Sequence, residues 1–66
     1  MRTYVEIERH GGIETRGIDA ATEDETEEFI LRWANTYGVV HVLDERGKRV
    51  RTITPGEAAE RLKGRG

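Results

Sequence analysis

Residues 22–38 carry the clearest helix signals in the chain. Thr22, with Glu25 three residues later, has the pattern of a capping box, in which each side chain accepts a hydrogen bond from the backbone N–H of the other residue. Gly38 suits the left-handed conformation that follows the last turn of many helices. Leu31 lies off the main apolar stripe, and we expect it to be partly exposed. The stripe, at three- and four-residue spacing, consists of Thr26, Phe29, Ile30, Trp33 and Tyr37.

The segment before this helix has the alternating pattern of a β-hairpin. Apolar and polar residues alternate over residues 2–9, which predicts a half-buried strand. A second extended run covers residues 13–18, with Gly17 as a candidate bulge or strand end. The intervening His10-Gly11-Gly12 predicts the turn, because short hairpin turns need residues with positive φ.

The segment after the helix repeats this arrangement with a different sequence. Residues 39–43 are apolar on both faces, which is typical of a central strand covered on both sides. Residues 49–53 predict its hairpin partner, with Gly47 in the left-handed position of the turn. Thr54-Pro55-Gly56-Glu57 is a second capping box, so we expect a short helix to about residue 63.

These elements predict one α+β domain over residues 1–66 with the order ββαββα. We expect a four-stranded, mostly antiparallel sheet with the long helix on one face and a short C-terminal helix. A core of this size rarely supplies more than about 3–5 kcal/mol, and the chain has no Cys for disulfides. Oligomerisation would therefore be a favourable source of further burial.

The second face of the predicted sheet is too apolar for plain solvated surface. Alternation predicts that one set of side chains faces the long helix: Val5, Ile7, Ile13, Val40, Val42 and Val50. It predicts that another set points away: Tyr4, Ile18, Val39, His41, Leu43, Arg51 and Ile53. The C-terminal helix, a second copy of the chain or a foreign protein would have to cover this face. We expect a homodimer or a protein partner there, bound through Tyr4, Val39, His41, Leu43 and Ile53.

Composition argues against an enzyme. The chain contains no Ser and no Cys, the two commonest nucleophiles. His10 and His41 lie far apart and in no metal-ligand spacing, so we interpret His41 as a packed or interface histidine. We expect no catalytic residues, cofactor, metal or small-molecule substrate.

A basic hairpin is the main alternative site. Arg46, Lys48, Arg49 and Arg51 are grouped on the second hairpin, and Arg61, Lys63 and Arg65 follow near the C-terminus. A basic two-stranded ribbon can follow a nucleic-acid backbone. However, the net charge is −2 and the pI is about 5.6, which is unlike a nucleic-acid-binding domain.

The remaining expectations concern location and source. The sequence has no apolar run near the roughly 20 residues that span a bilayer, and it begins directly in a strand pattern. We therefore expect a cytoplasmic protein that binds no membrane. Its preference for Arg over Lys suggests a GC-rich bacterial or phage genome. The function expected is that of a small non-enzymatic regulator that self-associates or docks on a larger protein.

Overall fold

The computed structural model describes residues 2–64 and confirms the ββαββα order. The first half contains β1 (Arg2–Arg9), β2 (Gly12–Asp19) and α1 (Glu23–Thr36). The second half contains β3 (Val40–Leu43), β4 (Arg49–Ile53) and α2 (Pro55–Gly64). The strands form one antiparallel sheet in the order β2-β1-β3-β4. The two hairpins therefore lie side by side, with β2 and β4 as the edges.

Local signals determine where α1 begins and ends. The hydroxyl of Thr22 accepts the backbone N–H of Glu25 at 3.2 Å, as predicted for the N-cap. The backbone N–H of Tyr37 donates to the Trp33 carbonyl at 2.8 Å and closes the last turn. Gly38 follows with φ of 150°, and a Cβ there would overlap the carbonyl oxygen of Glu8. Only glycine fits where the chain passes so close to β1.

The second helix begins at its predicted capping box and packs beside the first. The Thr54 hydroxyl accepts the backbone N–H of Glu57 at 3.2 Å, and Pro55 is the first helical residue. Ala58 is fully buried in the common core and Leu62 packs against that core. Both helices therefore lie on the same face of the sheet, and α2 leaves the other face uncovered.

The buried side of α1 is broader than the predicted stripe. Leu31 has no exposed surface, so the expectation of partial exposure is wrong. Phe29 and Tyr37, predicted to be buried, are among the exposed aromatic residues. The neighbouring α2 causes this change, because α1 must bury one side against the sheet and another against a second helix. The core consists of Val5, Ile7, Ile18, Ala20, Ile30, Leu31, Ala34, Val40, Ile53 and Ala58.

The register of the first hairpin differs from the prediction by one residue. The turn consists of His10 and Gly11, with φ of 44° and 80°, so Gly12 already belongs to β2. Ile18 consequently pairs with Thr3 and enters the core, whereas Ile13 pairs with Glu8 and is exposed. The predicted faces of Ile13 and Ile18 are therefore both wrong, because a slip of one residue exchanges the faces of a strand.

The faces of β4 are also opposite to those predicted. Ile53 pairs with Val40 and is fully buried beneath the helices. Arg51 pairs with Val42 and shares that face, and Val50 points away from it. Val50 and Ile53 stand an odd number of residues apart, so regular alternation cannot bury both. The larger Ile53 takes the core position, and a bulge beside Val50 ends the regular pairing.

Candidate functional site

The face of the sheet opposite the helices is not covered by any other element of the described chain, and we call it the open face. Strand register assigns the side chains to this face, since directly paired residues share a side. The molecule measures 34 × 31 × 16 Å, so this face is broad relative to its depth. Its main members are Tyr4, Glu6, Glu8, Ile13, Thr15, His41, Leu43, Arg49, Val50 and Thr52.

The structure brings part of the predicted partner site together on the open face. Tyr4 is 47% exposed there, and its ring lies against Gly17 of β2, which forms no bulge. Leu43 is half-buried at the other side of Tyr4, and Val39 is half-buried just before β3. Ile53 is the exception, because its placement on this face is wrong and it has no exposed surface.

Two apolar side chains that sequence reasoning assigned to the core are instead exposed on the open face. Ile13 is 55% exposed and Val50 is 61% exposed. Both lie on edge strands, where a small change of register or a bulge decides which way a side chain points. The two-residue preference of short hairpin loops would have predicted the position of Ile13.

His41 lies in a hydrogen-bonded row across the open face. Its Nε2 is 2.5 Å from the carboxylate of Glu8, and its Nδ1 is 2.9 Å from the hydroxyl of Thr52. A carboxylate only accepts, so Nε2–H donates to Glu8, and Nδ1 shares a second hydrogen bond with the Thr52 hydroxyl. The residue is only 7% exposed and both nitrogens are engaged. His41 therefore connects β1 with β4 across the open face.

The charges of the open face are largely paired within the face itself. Arg49 donates to Glu6 at 2.8 Å, and Arg2 lies 3.3 Å from Asp19. Together with the contact between Glu8 and His41, these pairs leave a surface of low net charge. Such a surface does not favour a strongly charged ligand.

The four cations of the alternative nucleic-acid site do not form one surface. Arg51 faces the helices and donates twice to Glu27 at 2.6 Å, which raises its pKa above the usual value. Arg49 lies on the opposite face, engaged with Glu6. Arg46 and Lys48 are exposed in the β3–β4 turn, where the Asp44 carboxylate accepts their backbone N–H groups. Nucleic-acid binding stays a prediction, with two of its four cations already paired.

The basic C-terminal residues are likewise divided. Arg61 contacts Glu27 at 3.3 Å and Glu57 at 2.9 Å. Lys63 is exposed near the end of α2, whereas Arg65 lies outside the described residues. The contact with Glu27 joins α2 to α1, whereas the contact with Glu57 lies within α2.

A cluster of arginine and aromatic side chains lies beside β2 on the helix face, and sequence reasoning did not predict it. Glu14 accepts from Arg9 at 2.9 Å and from Arg16 at 2.7 Å. The Arg16 guanidinium stands 5.3 Å from the Trp33 ring centre and 4.9 Å from that of Tyr37. Hydrogen bonds from Arg16 and then Arg9 lower the pKa of Glu14 below its usual value. The register of β2, which places even-numbered residues towards the helices, creates this cluster.

Neither a metal centre nor a membrane-spanning segment is found in the described part of the chain. Residues 2–64 contain no group of three or more His, Asp or Glu side chains placed to hold a metal ion. No helix within the same range has the length and apolar character needed to cross a bilayer.

Comparison of the chain with protein-family models, curated proteins and solved structures gives no match.

Proposed function

We propose that this protein is a small non-enzymatic interaction domain, and that its open face binds a larger protein. One observation carries the proposal: both helices pack on the same side of the sheet. The opposite side consequently presents Tyr4, Ile13 and Val50, three of the most exposed large apolar side chains of the described chain. Exposed apolar residues that share a surface are typical of protein-binding sites.

The character of the open face supports a protein as the ligand. Its ion pairs cancel most of its charge, so apolar contact rather than phosphate attraction would drive binding. Standard protein interfaces bury about 800 Å² on each partner. A molecule whose two longer extents are 34 and 31 Å is broad enough for such a contact. Tyr4 would act as the aromatic anchor, since tyrosine is enriched among residues that dominate binding.

The non-enzymatic part of the proposal rests on the chemistry of the side chains. The sequence has neither Ser nor Cys, the two commonest nucleophiles. A docking protein of this size fits the role of a regulator that acts by occupying the surface of a larger bacterial or phage protein. We place this role in the cytoplasm, in keeping with the cysteine-free sequence.

The test is differential capture with immobilised protein. Tyr4→Glu and Val50→Glu place a charge on the open face, while Ala59→Glu places one on the exposed side of α2. A protein from the source cells that is retained by wild type and Ala59→Glu but released by both open-face variants supports the proposal. Equal retention by all three variants would overturn it. Thermal unfolding of each variant verifies that the fold is intact.

A competition arm separates the nucleic-acid alternative. The double variant with Arg46→Ala and Lys48→Ala and a nuclease treatment of the wild-type sample are compared. If each of them abolishes retention of the ligand, the ligand is a nucleic acid and the open-face proposal fails.

A further inference from the structure

The two edges of the sheet differ in how they are protected. β4 has five residues and carries a bulge at its start, and Pro55 follows it. Short length, bulges and proline are devices that prevent pairing with other chains. β2 has eight residues in unbroken register with β1, without proline or bulge. β2 is therefore the edge that remains competent to accept another strand.

The hairpin register identifies the free backbone groups of β2. The two-residue turn makes Arg9 and Gly12 the closing hydrogen-bonded pair. Hydrogen-bonded and non-hydrogen-bonded pairs alternate along an antiparallel ladder. The N–H and C=O groups of even-numbered β2 residues therefore bond to β1, and those of Ile13, Thr15, Gly17 and Asp19 point outward.

We propose that β2 pairs with β2 of a second copy, antiparallel, about a two-fold axis through Thr15. Outward groups must meet outward groups, so odd-numbered residues pair with odd-numbered ones. With Thr15 opposite Thr15 of the second copy, Glu14 stands opposite Arg16 of that copy, and Arg16 opposite its Glu14. The strand therefore presents complementary charges to itself twice, as a two-fold contact requires.

The neighbouring registers lack this complementarity. Moving the axis to residue 14 places Glu14 against Glu14 of the second copy. Moving it to residue 16 places Arg16 against Arg16. Like charges directly opposite each other destabilise strand pairs. The charges of Glu14 and Arg16 thus favour the axis at residue 15 over the axes at residues 14 and 16.

Exposed aromatic rings on the same edge extend the contact beyond the backbone. Arg16 of β2 stands over Trp33 and Tyr37, and Phe29 lies 5.8 Å from Trp33 between ring centres. Phe29 and Tyr37 remain exposed in the single chain. A two-fold axis normal to the sheet keeps both α1 helices on one face, so these rings of the two copies approach each other. Aromatic burial is a main source of interface energy.

The resulting dimer has one eight-stranded sheet with all four helices on one side. Its two open faces become continuous, which doubles the surface offered to a partner. The inference uses the outer backbone edge of β2 and the rings of α1, whereas the test of the proposed function uses Tyr4 and Val50, so either can fail without the other.

Cysteine cross-linking tests the register directly, because the chain has no native Cys. Hydrogen-bonded antiparallel pairs have Cα atoms about 5.5 Å apart, within disulfide reach. Thr15→Cys should therefore give a covalent dimer of most of the protein under mild oxidation. Ile13→Cys is the matched control on the same strand and face. Its two copies would lie about 14 Å apart and should remain uncross-linked.

Charge reversal tests the same register in solution without any cross-link. Glu14→Arg and Arg16→Glu should each raise the dimer dissociation constant about tenfold, measured by sedimentation across a concentration series. The double variant restores both cross-axis pairs and should return the constant to near the wild-type value. Thermal unfolding at low concentration shows how far each change affects the single chain.

Three results would overturn the inference. A wild-type protein that stays at 7.5 kDa up to millimolar concentration has no such dimer. Equal cross-linking at positions 13 and 15 indicates another register or random collision. A dimer broken by Tyr4→Glu but indifferent to both charge reversals uses the open face instead.

Discussion

Arg51 of β4 and Glu27 of α1 are joined by two hydrogen bonds, each 2.6 Å from a guanidinium nitrogen to a carboxylate oxygen. Arg61 of α2 reaches the same carboxylate at 3.3 Å. One acid on α1 therefore connects the sheet with the second helix. The hydrogen bonds and charge of Glu27 raise the pKa of Arg51, although burial acts in the opposite direction. Bidentate pairs of this kind are stronger than ordinary surface contacts.

Glu27→Gln should therefore destabilise the protein by about 1 kcal/mol, a value discounted because the Arg51 side chain is 38% exposed. Urea unfolding at neutral pH measures the change. Glu28→Gln on the same helix is the control, since Glu28 lies 3.7 Å from an Arg32 that is mostly exposed. We expect that variant to change stability by less than about 0.5 kcal/mol. Equal effects of the two substitutions would contradict a special role for Glu27.

The sequence predicted the elements well because their signals are local. Thr22 and Thr54 cap the two helices, and Gly47 takes a left-handed φ of 81° in the second turn. These features depend on residues within one turn of each other. The same locality allowed the ββαββα order to be predicted without any knowledge of strand order.

Local sequence signals could not predict which side of the sheet the side chains of the edge strands β2 and β4 point to. Ile13 and Ile18 both suit a buried strand position, and only the turn at His10 and Gly11 decides between them. On β4, the competition between Val50 and Ile53 was resolved by packing in the common core beneath the helices. Of the predicted partner residues, Tyr4 is consequently exposed on the open face, whereas Ile53 is buried on the opposite face.

Leu31 of α1 contributes more to stability than the sequence pattern predicted. It is fully buried, so Leu31→Ala should destabilise the protein by about 2–5 kcal/mol through lost transfer energy and a cavity. A core of this size supplies only about 3–5 kcal/mol, so much of that variant should be unfolded. Circular dichroism in a urea series measures the loss.

Phe29→Ala removes a larger side chain from the same helix and is the matched comparison. Phe29 is 43% exposed, so we expect its truncation to cost less than that of Leu31 in the isolated chain. A greater loss of stability from Phe29→Ala than from Leu31→Ala would contradict the observed orientation of the helix. It would favour the orientation predicted from the sequence, in which Phe29 is buried.

The glycines at positions 38 and 56 should respond oppositely to alanine. Gly38 has φ of 150° and no room for a Cβ beside the Glu8 carbonyl, so Gly38→Ala should destabilise by about 1–3 kcal/mol. Gly56 lies in the first turn of α2 with nothing within 4 Å of the added carbon. Gly56→Ala should stabilise by about 0.5–1 kcal/mol. Thermal unfolding of Gly38→Ala and Gly56→Ala measures the sign of each change in stability. A destabilised Gly56→Ala would contradict the open surroundings of that position.

Glu14 should make the stability of the protein depend on acid pH. Hydrogen bonds from Arg16 and Arg9 lower its pKa in the folded chain below the ordinary value of 4.5. Just below pH 4.5, the unfolded chain therefore binds more protons than the folded one. The stabilisation is fully present above pH 4.5 and is lost as the pH falls through the folded pKa.

Glu14→Gln removes this titration while keeping the size of the side chain. The difference in free energy of unfolding between wild type and Glu14→Gln should be constant above pH 4.5 and should shrink towards lower pH. Urea midpoints measured at several pH values below and above 4.5, at protein concentrations where the chain is monomeric, provide the test. A difference that stays constant down to the lowest pH would mean that Glu14 is not held by its two arginines in solution. The ion-pair cluster beside β2 would then be absent, and with it the ordered charges that select the register of self-pairing.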